Sequence, residues 1–420
     1  MIRLLGPPDR NLRGQLRLSG SKSLSNRALI IRALSRSDFD LQGLSSARDT
    51  RVLHQLLQHP RTEYDAGPAG TTFRFLTAYL SLQPHHQILT GSERMQQRPI
   101  GILVDALRRL GADIQYLNRD GYPPLRIGPP AKGFAQHHSL TIPANTSSQF
   151  ISALLLIGPA LPRGLVLELQ GEVVSRPYIN MTLQLMRFFG AEATWAGNRI
   201  AVEPSPYRAR ASFQVEADWS AASYYYAMAA LASSADLRLD GLFAESLQGD
   251  AILAELMASF GVRTHFEENG IRLRRTAGAL PGRFRHSFLA CPDLAQTLAV
   301  LCAALGLPAR LEGLRTLRIK ETDRVAALLC ELGKVGIKGR AHEADAGDEW
   351  LELSGRARLP YPPPDFHTYA DHRMAMALAP LAMLGPIRIQ DPTVVRKSYP
   401  EFWDHLQYLG FQLKRQSEQE

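Results

Sequence analysis

The sequence predicts an α/β protein of two domains, and three observations lead to that prediction. First, 420 residues exceed one ordinary hydrophobic core and suit two domains of roughly 200 residues each. Second, the apolar share of 45% and the charged share of 21% are close to those of an average globular protein. Third, an apolar helix pattern that ends in glycine and leads into an alternating strand pattern recurs five times.

The recurring glycines have a nearly constant spacing of 71 to 79 positions, which indicates an internal repeat. Each of them fits the left-handed residue that closes a helix, and the residues that follow alternate as in a strand. Five unrelated helix–strand connections would also be compatible with the pattern, because such connections are common in α/β proteins. The five glycines are Gly111, Gly190, Gly261, Gly333 and Gly410.

A basic residue lies about 13 positions before four of these glycines, at the expected start of the helix: Arg98, Arg176, Lys320 and Lys397. The helix dipole repels a cation at this end unless an anion is bound. First-turn N–H groups bind phosphates and carboxylates. We therefore predict that helix N-termini and cations coincide, and that several of them face one anion-binding cleft.

The net charge of +8 makes an acidic partner plausible, with nucleic acid, an anionic membrane and small phosphates as the alternatives. No run of five like charges occurs, which makes nucleic acid the weaker alternative without excluding it. Only seven of the 48 basic residues are lysines, so the lysines inside the motifs below, Lys22, Lys320 and Lys397, are expected to have specific roles.

Other classes of protein are disfavoured by single observations. The longest apolar runs, 153–160 and 224–232, are too short to span a bilayer, and Pro7 and Pro8 interrupt the start of the chain before a secretory signal could form. A cytoplasmic protein without membrane partners is expected. The three cysteines lack CxxC spacing and are expected to be buried thiols, and no His/Cys cluster has metal-ligand spacing. We expect no metal and no other cofactor.

The segment 20–27 (GSKSLSNR) follows an alternating strand pattern and opens an apolar-faced helix on which Ser23 and Arg27 share a face. It lacks the spacing of a nucleotide P-loop. It instead resembles the opening signature of the enolpyruvyl transferases, in the branch that acts on shikimate 3-phosphate. Further motifs occur in that family's order between residues 20 and 400: 67–74 (GPAGTTFR), 94–99 (RMQQRP), 147–149 (SSQ), 175–178 (SRPY), 218–220 (DWS), 320–324 (KETDR), 371–374 (DHRM) and 397–400 (KSYP).

The resemblance implies a fold and a reaction. The implied fold is a two-domain inside-out α/β barrel, with three βαβαββ units in each domain and the helices packed inward. One domain would comprise residues 21–215 and the other residues 1–20 plus 216–420, with the active site in the cleft between them. The implied reaction transfers the carboxyvinyl group of phosphoenolpyruvate to the 5-hydroxyl of shikimate 3-phosphate, releases phosphate and uses no cofactor. A monomer is expected.

The resemblance also implies two sets of substrate-binding residues, taken position by position from the matching motifs. Two phosphates and two carboxylates on the substrates would explain the number of cations in both sets. Shikimate 3-phosphate would be bound by Lys22, Ser23, Arg27, Ser147, Ser148, Gln149, Ser175, Tyr178, Asp293 and Lys320. Phosphoenolpyruvate would be bound by Lys22, Gly70, Arg98, Gln149, Arg324, Arg373 and Lys397.

Addition to the enol needs a base for the hydroxyl and an acid for the methylene carbon. Asp293 matches the family's proton acceptor and Glu321 its proton donor, and Lys22 is assigned to catalysis with them. From the residues alone, Asp293 could instead cap a helix near Leu294, and Glu321 could pair with a first-turn cation. Asp371 is expected to cap the helix that His372 opens, with His372 itself only packed.

The sequence departs from the family at three positions, where Pro68, Phe75 and Thr316 replace the usual asparagine, proline and asparagine. The nearest alternative activity is the related transfer of enolpyruvyl to a UDP-sugar, UDP-N-acetylglucosamine. That branch has a different opening signature and a cysteine acid in its first domain. Here no cysteine precedes Cys291, so the alternative is disfavoured.

Overall fold

The computed structural model describes residues 1–35, 39–144, 146–171, 173, 176–208, 212–343 and 349–415. The chain divides into two compact units, which we call the central unit (Gly20–Val215) and the terminal unit (Met1–Ser19 with Glu216–Glu420). The division falls next to the positions 20/21 and 215/216 that the family resemblance implied. The chain opens in the terminal unit with two strands, β1 (Ile2–Leu5) and β2 (Asn11–Arg17).

The central unit alternates helices and short strands along the chain. Its elements are α1 (Lys22–Leu34), β3 (Asp40–Gln42), α2 (Arg48–Gln58), β4 (Glu63–Asp65), α3 (Gly70–Leu80), β5 (Gln87–Thr90), α4 (Glu93–Gln96), α5 (Gly101–Arg109), β6 (Ile114–Tyr116), β7 (Leu125–Ile127), β8 (Ser139–Pro143), α6 (Ser148–Ile157), β9 (Leu165–Gln170), α7 (Arg176–Phe188), β10 (Ala193–Ala196), β11 (Arg199–Val202) and β12 (Ser212–Gln214).

The rest of the terminal unit follows the same alternation. Its further elements are α8 (Trp219–Leu231), β13 (Ser234–Asp240), α9 (Leu253–Ala258), β14 (Val262–Glu267), β15 (Gly270–Arg275), β16 (Phe284–Ser287), α10 (Ala295–Leu305), β17 (Ala309–Glu312), α11 (Arg324–Gly333), β18 (Lys338–Glu343), β19 (Glu349–Ser354), β20 (Asp365–Phe366), α12 (His372–Leu378), β21 (Ile387–Ile389), α13 (Phe402–Tyr408) and β22 (Gln412–Arg415). Short 3-10 helices include Gly249–Ile252, Pro292–Leu294, Arg315–Ile319 and Pro392–Lys397.

Five four-stranded sheets share one strand order, and this is the structural counterpart of the sequence repeat. The orders are β4-β5-β7-β6, β8-β9-β11-β10, β2-β13-β15-β14, β16-β17-β19-β18 and β20-β21-β1-β22. In each sheet the first two strands are parallel and the other neighbours are antiparallel, as in β8, β9, β11 and β10. The remaining sheet of the described residues is the parallel pair β12-β3. Each four-stranded sheet therefore belongs to a βαβαββ unit.

The two helices of each unit differ in burial. The helix after the first strand is buried nearly all round: every residue of α8 and α12 is buried, as are ten of the eleven residues of α10. These three helices are rich in alanine and leucine and pack together in the core of the terminal unit. The helix after the second strand buries only one face, as in α7 and α13.

Four of the five predicted glycines have the left-handed conformation after a helix: Gly111 (φ 97°), Gly190 (83°), Gly261 (74°) and Gly410 (89°). The prediction is wrong for Gly333, which is the last residue of α11. The left-handed residue there is Gly336, with φ 83°. The chain keeps a helical turn beyond Gly333, because the backbone N–H groups of Lys334 and Val335 donate to the carbonyl oxygens of Glu331 and Leu332.

Two further sequence expectations concern cysteines and membrane helices. Cys291 and Cys302 are buried as expected, but Cys330 is exposed, because it lies on the face of α11 opposite the buried Leu328 and Leu332. Among the described residues, no helix is both long and apolar enough to cross a membrane.

Candidate active site

Arg27 in the central unit joins three helices through neutral groups. Its Nε donates to Thr182 Oγ1 of α7 at 2.7 Å, and its Nη2 donates to Ser152 Oγ of α6 at 3.0 Å. The same guanidinium donates to the carbonyl oxygens of Ser23 (2.9 Å) and Tyr178 (3.3 Å). Burial lowers the pKa of Arg27 to about 10. Arg27 is therefore a buried cation, and its partners in the described part of the chain are hydroxyl and carbonyl oxygens.

Lys22 and Ser23 lie in the first turn of α1, which Ser21 caps by accepting from Leu24 N. Lys22 Nζ lies 3.3 Å from Asp49 Oδ2, and Asp49 is buried in the first turn of α2. Both Lys22 and Ser23 are half-buried. The ammonium is thus fixed near the start of α1, in the same turn whose Ser23 carbonyl accepts from Arg27.

Gly70 begins α3 and lies against two guanidinium groups. A Cβ atom at this position would lie closer than van der Waals contact to Arg98 Nη1 and to Arg74 Nη1, so a side chain here would displace both guanidinium groups. Arg74 Nη1 donates to Gln149 Oε1 at 2.7 Å, and Gln149 Nε2 donates to Thr71 Oγ1 at 2.9 Å. The predicted residues Gly70, Arg98 and Gln149 therefore lie together. Two cations beside a helix N-terminus form an arrangement suited to an anion.

The serine motif opens α6. Ser147 is the N-cap, and its Oγ accepts from Gln149 N at 3.4 Å, as expected of a serine before a helix. Ser148 and Gln149 are the first two helical residues. Tyr178 lies half-buried in the first turn of α7, where its carbonyl accepts from Arg27. The predicted Ser175 lies outside the described residues.

Arg324 is the hub of the second group, in the terminal unit. It is only 1% exposed and donates to three carboxylates: Asp371 (Nε to Oδ2, 2.7 Å), Glu321 (Nη2 to Oε2, 2.9 Å) and Asp293 (Nη1 to Oδ1, 3.2 Å). Burial by itself would lower the pKa of Arg324, but Asp371, Glu321 and Asp293 together raise it above its ordinary value. The two predicted proton-transfer residues are thus ligands of one guanidinium.

The outer oxygens of these two carboxylates are bound by further predicted cations. Arg373 Nη2 lies 2.9 Å from Asp293 Oδ2, and Lys397 Nζ donates to Glu321 Oε1 at 2.7 Å. Lys320 is half-buried beside them. Burial lowers the pKa of Lys320, while the charge of Asp293 opposes that change. The terminal unit therefore brings together Asp293, Lys320, Glu321, Arg324, Arg373 and Lys397.

The structure tests the alternative roles of the acidic residues, and Glu321 does pair with a first-turn cation, Arg324 of α11. Asp293 does not cap α10: its carboxylate binds two arginines, and Leu294 is the residue at the cap position. Asp371 caps α12 by accepting from Arg373 N at 2.8 Å, which confirms that prediction. Asp371 also binds Arg324, a role that the sequence did not reveal. His372 is 2% exposed and packed, as expected.

The predicted coincidence of cations with helix N-termini is wrong in detail. Only Arg176 is the first residue of its helix, and its guanidinium lies over the Trp195 ring at 4.7 Å. Lys320 follows a 3-10 helix, and α11 starts at Arg324 after its cap Asp323. Arg98 and Lys397 likewise precede the first residues of α5 and α13. These helices begin after the cations, because Asp323 caps α11 and a proline, Pro99 or Pro400, precedes the N-cap of α5 and of α13.

Sequence reasoning missed a buried carboxyl group next to this cluster. Asp250, in the 3-10 helix Gly249–Ile252, is 5% exposed and bonded to Ser220 Oγ. Ser220 Oγ lies 3.4 Å from Arg373 Nη2. Burial, together with the charge of Asp293, raises the pKa of Asp250 to about 7. The only signal was the motif 218–220, whose Ser220 had no assigned role.

Comparison with solved structures defines the class of fold. An EPSP synthase from Acinetobacter baumannii superposes with a TM-score of 0.74 at 20% identity and covers 99% of this chain and 100% of that chain. The enolpyruvyl transferase NikO from Streptomyces tendae superposes with a TM-score of 0.72 at 16% identity, over 98% of each chain. The chain therefore has the mixed α/β fold of the enolpyruvyl transferases.

Sequence comparison identifies the family within that class. The model of the EPSP synthase (3-phosphoshikimate 1-carboxyvinyltransferase) family matches residues 7–66 and 55–406. A 3-phosphoshikimate 1-carboxyvinyltransferase from Bacteroides fragilis is 50% identical over 98% of both chains. Another, from Bordetella petrii, is 38% identical over 95% of both chains. The chain belongs to the EPSP synthase family, which confirms the resemblance seen in the motifs and does not favour the UDP-sugar or nucleic-acid alternatives.

Proposed function

We propose that the chain transfers the enolpyruvyl group of phosphoenolpyruvate to the 5-hydroxyl of shikimate 3-phosphate and releases phosphate. Family membership and the named relatives support this activity. The observation that carries the proposal is that Asp293 and Glu321 are bound to the same buried guanidinium, that of Arg324. Two carboxyl groups fixed around one cation suit a reaction with one proton acceptor and one proton donor.

In the proposed addition step, Asp293 accepts the proton of the 5-hydroxyl group of shikimate 3-phosphate. At the same time, the oxygen of that hydroxyl group forms a bond to the second carbon of phosphoenolpyruvate. Glu321 gives a proton to the methylene carbon, which becomes a methyl group in the tetrahedral adduct. In the elimination step, the bond from the second carbon to the phosphate oxygen breaks, the Glu321 carboxylate takes a proton back from the methyl group, and Asp293 gives its proton to the departing phosphate. Enolpyruvylshikimate 3-phosphate and phosphate are the products, and every proton is accounted for.

We assign substrate binding by the same two groups of residues. Arg27 and the serines at the start of α6 suit a phosphorylated polyol, because Arg27 is a cation with hydroxyl and carbonyl partners that lacks a carboxylate partner in the described part of the chain. The two guanidiniums beside Gly70, with Arg324, Arg373 and Lys397, suit the phosphate and carboxylate of phosphoenolpyruvate. Lys22 would contact both substrates, and Ser175 stays a prediction from the motif alone.

Two finer proposals accompany the reaction. We propose that each domain has its helices inside and its sheets outside, which the complete burial of α8 and α12 supports for the terminal unit. We also propose a cytoplasmic monomer that needs no cofactor.

The test follows phosphate release by the purified protein. We expect release only when phosphoenolpyruvate and shikimate 3-phosphate are both present, without added metal or nucleotide. The control replaces shikimate 3-phosphate by UDP-N-acetylglucosamine at the same concentration. Release with the UDP-sugar, or release from phosphoenolpyruvate alone, would contradict the proposed acceptor.

A further inference from the structure

The segment that leads into Asp371 has an unfavourable backbone conformation. Tyr369 and Ala370 both have φ near 54°, so two consecutive residues with side chains lie in the left-handed region. Side chains are rarely found there, because Cβ approaches the following carbonyl oxygen, and neighbouring structure must hold such residues in place. The next residue is Asp371, which binds Arg324 and caps the helix that carries Arg373.

A buried carboxylate binds this segment. Glu331 of α11 is 0% exposed, and its Oε1 accepts from the Tyr369 hydroxyl at 2.6 Å. Its Oε2 accepts from His367 N at 3.0 Å and from Lys334 Nζ at 2.6 Å. Lys334 Nζ also donates to the carbonyl of Asp365 at 2.7 Å. Both carboxylate oxygens therefore accept hydrogen bonds. Apart from the bond between Lys334 and Glu331, each of these bonds has one partner in the segment 365–369.

Helix α11 thus holds the segment at two points. Arg324, its first residue, binds Asp371, and Glu331, two turns later, binds Tyr369. The two left-handed residues lie at the Asp371 end of this stretch. If the Tyr369 hydroxyl bond were lost, the segment could relax toward ordinary dihedral angles, and Asp371 would move with it.

We infer that Glu331 and Tyr369 are positioning residues of the transferase: they hold the strained turn before Asp371, and through it the guanidiniums of Arg324 and Arg373. The inference rests on the proposed role of these two arginines in binding phosphoenolpyruvate. Neither Glu331 nor Tyr369 needs to touch a substrate. Their contribution is to keep two cations in place for one small ligand that carries a phosphate and a carboxylate.

The main variant is Tyr369→Phe, which removes the hydroxyl and keeps the ring. We expect the KM for phosphoenolpyruvate to rise about tenfold, because a hydrogen bond to a charged group is lost. The KM for shikimate 3-phosphate should stay within about twofold, since its proposed ligands lie mainly on α1 and α6. Adding Ala370→Gly should bring the KM for phosphoenolpyruvate back to within about twofold of the wild-type value, because glycine adopts positive φ without steric cost.

The matched control is Tyr226→Phe, which removes a hydroxyl bonded to Thr264 Oγ1 at 2.7 Å in the same unit. It should lower the melting temperature and leave the KM for phosphoenolpyruvate unchanged. If Tyr369→Phe folds poorly, Lys334→Met removes another partner of Glu331, which keeps its bonds to Tyr369 and His367, and should give a smaller rise in KM, again reversed by Ala370→Gly.

Three results would overturn the inference: an unchanged KM in Tyr369→Phe, a rise that Ala370→Gly does not reverse, or an equal rise in Tyr226→Phe. Failure of the proposed function is separate, because the wild-type protein would then release no phosphate. In that case, the shift in melting temperature that phosphoenolpyruvate produces replaces KM in the same set of variants, with the same order of effects expected.

Discussion

Arg27 and Arg74 of the central unit have different partners from the cations of the terminal unit, whereas Lys22 of the central unit pairs with the carboxylate of Asp49. Arg27 donates to hydroxyl and carbonyl oxygens, and Arg74 donates to the amide of Gln149. Arg324, Arg373 and Lys397 each contact at least one carboxylate. The pKa values follow this difference: burial lowers that of Arg27 to about 10, whereas three carboxylates overcome burial and raise that of Arg324.

This difference indicates a division of labour. A buried cation with neutral partners keeps an unfulfilled attraction for an anion, so the central unit is suited to hold a phosphate. In the terminal unit the cations are already paired, and their carboxylate partners are fixed in place, as a proton acceptor and a proton donor must be. Replacing the carboxylates should therefore affect turnover, and replacing the central cations should affect binding.

The largest effect is expected from Asp293→Asn and Glu321→Gln, which keep the shape of each side chain and remove its proton-transfer capacity. Turnover should fall by about 10² to 10⁴-fold in each variant, with smaller changes in either KM. Steady-state phosphate release measures this. Glu352→Gln, in an exposed ion pair with Arg310, is the control and should keep wild-type turnover. A variant that retains more than about a tenth of wild-type turnover would remove its residue from the chemical step.

A smaller effect, on binding, is expected from Arg27→Gln. The KM for shikimate 3-phosphate should rise about 10 to 100-fold, because charge-assisted hydrogen bonds are lost, and the KM for phosphoenolpyruvate should change little. Arg51→Gln, an exposed change on α2, serves as the control in the same assay. Equal rises in both KM values would mean that Arg27 mainly joins α1, α6 and α7, and the contrast between the two units would fail.

The smallest effect on activity is expected from Asp250→Asn, which instead changes how stability depends on pH. Burial raises the pKa of Asp250 from 3.8 to about 7, so between these values the folded protein binds a proton that the unfolded chain has lost. The stabilising contribution is present at low pH and disappears as the pH rises toward about 7. The asparagine cannot titrate. As the pH rises over this range, the free energy of unfolding of the variant should therefore increase relative to that of the wild type.

Denaturant unfolding at several pH values between about 4 and about 8 measures that difference. Asp105→Asn, an exposed carboxylate on α5, should run parallel to the wild type. A difference between Asp250→Asn and the wild type that does not change with pH would show that Asp250 is ionised in the folded protein throughout. The terminal unit would then contain one more fixed negative charge beside Arg373 than we infer.

Much of the site was predictable from local motifs, because each motif lies at a helix start or in a short loop where sequence and geometry are closely linked. Arg324, the first residue of α11, and Glu321, in the loop before it, are only three residues apart, so the contact between them is local in sequence. The regular glycines predicted the repeat, but helix ends vary by a few residues, which is why Gly336 and not Gly333 is left-handed.

Contacts between distant segments were not predictable. Asp250 reaches Ser220 across 30 positions, and Thr182 reaches Arg27 across 155, so no local pattern relates them. Glu331 did leave a signal in the sequence. It is an acidic residue three positions after Leu328 and one before Leu332, on the buried side of α11. An acid in an apolar stripe needs a partner, but only the fold shows that the partner is Tyr369.

The order of strands in one sheet has a consequence for protein synthesis. β1 is translated before the whole central unit, yet its neighbours in the sheet, β21 and β22, leave the ribosome some four hundred residues later. The central unit is complete at Val215 and is able to fold while the terminal unit is still being made. Until β21 and β22 have been made, Ile2 and Leu4, which are both buried in the finished sheet, belong to an unpaired apolar strand of the kind that chaperones bind.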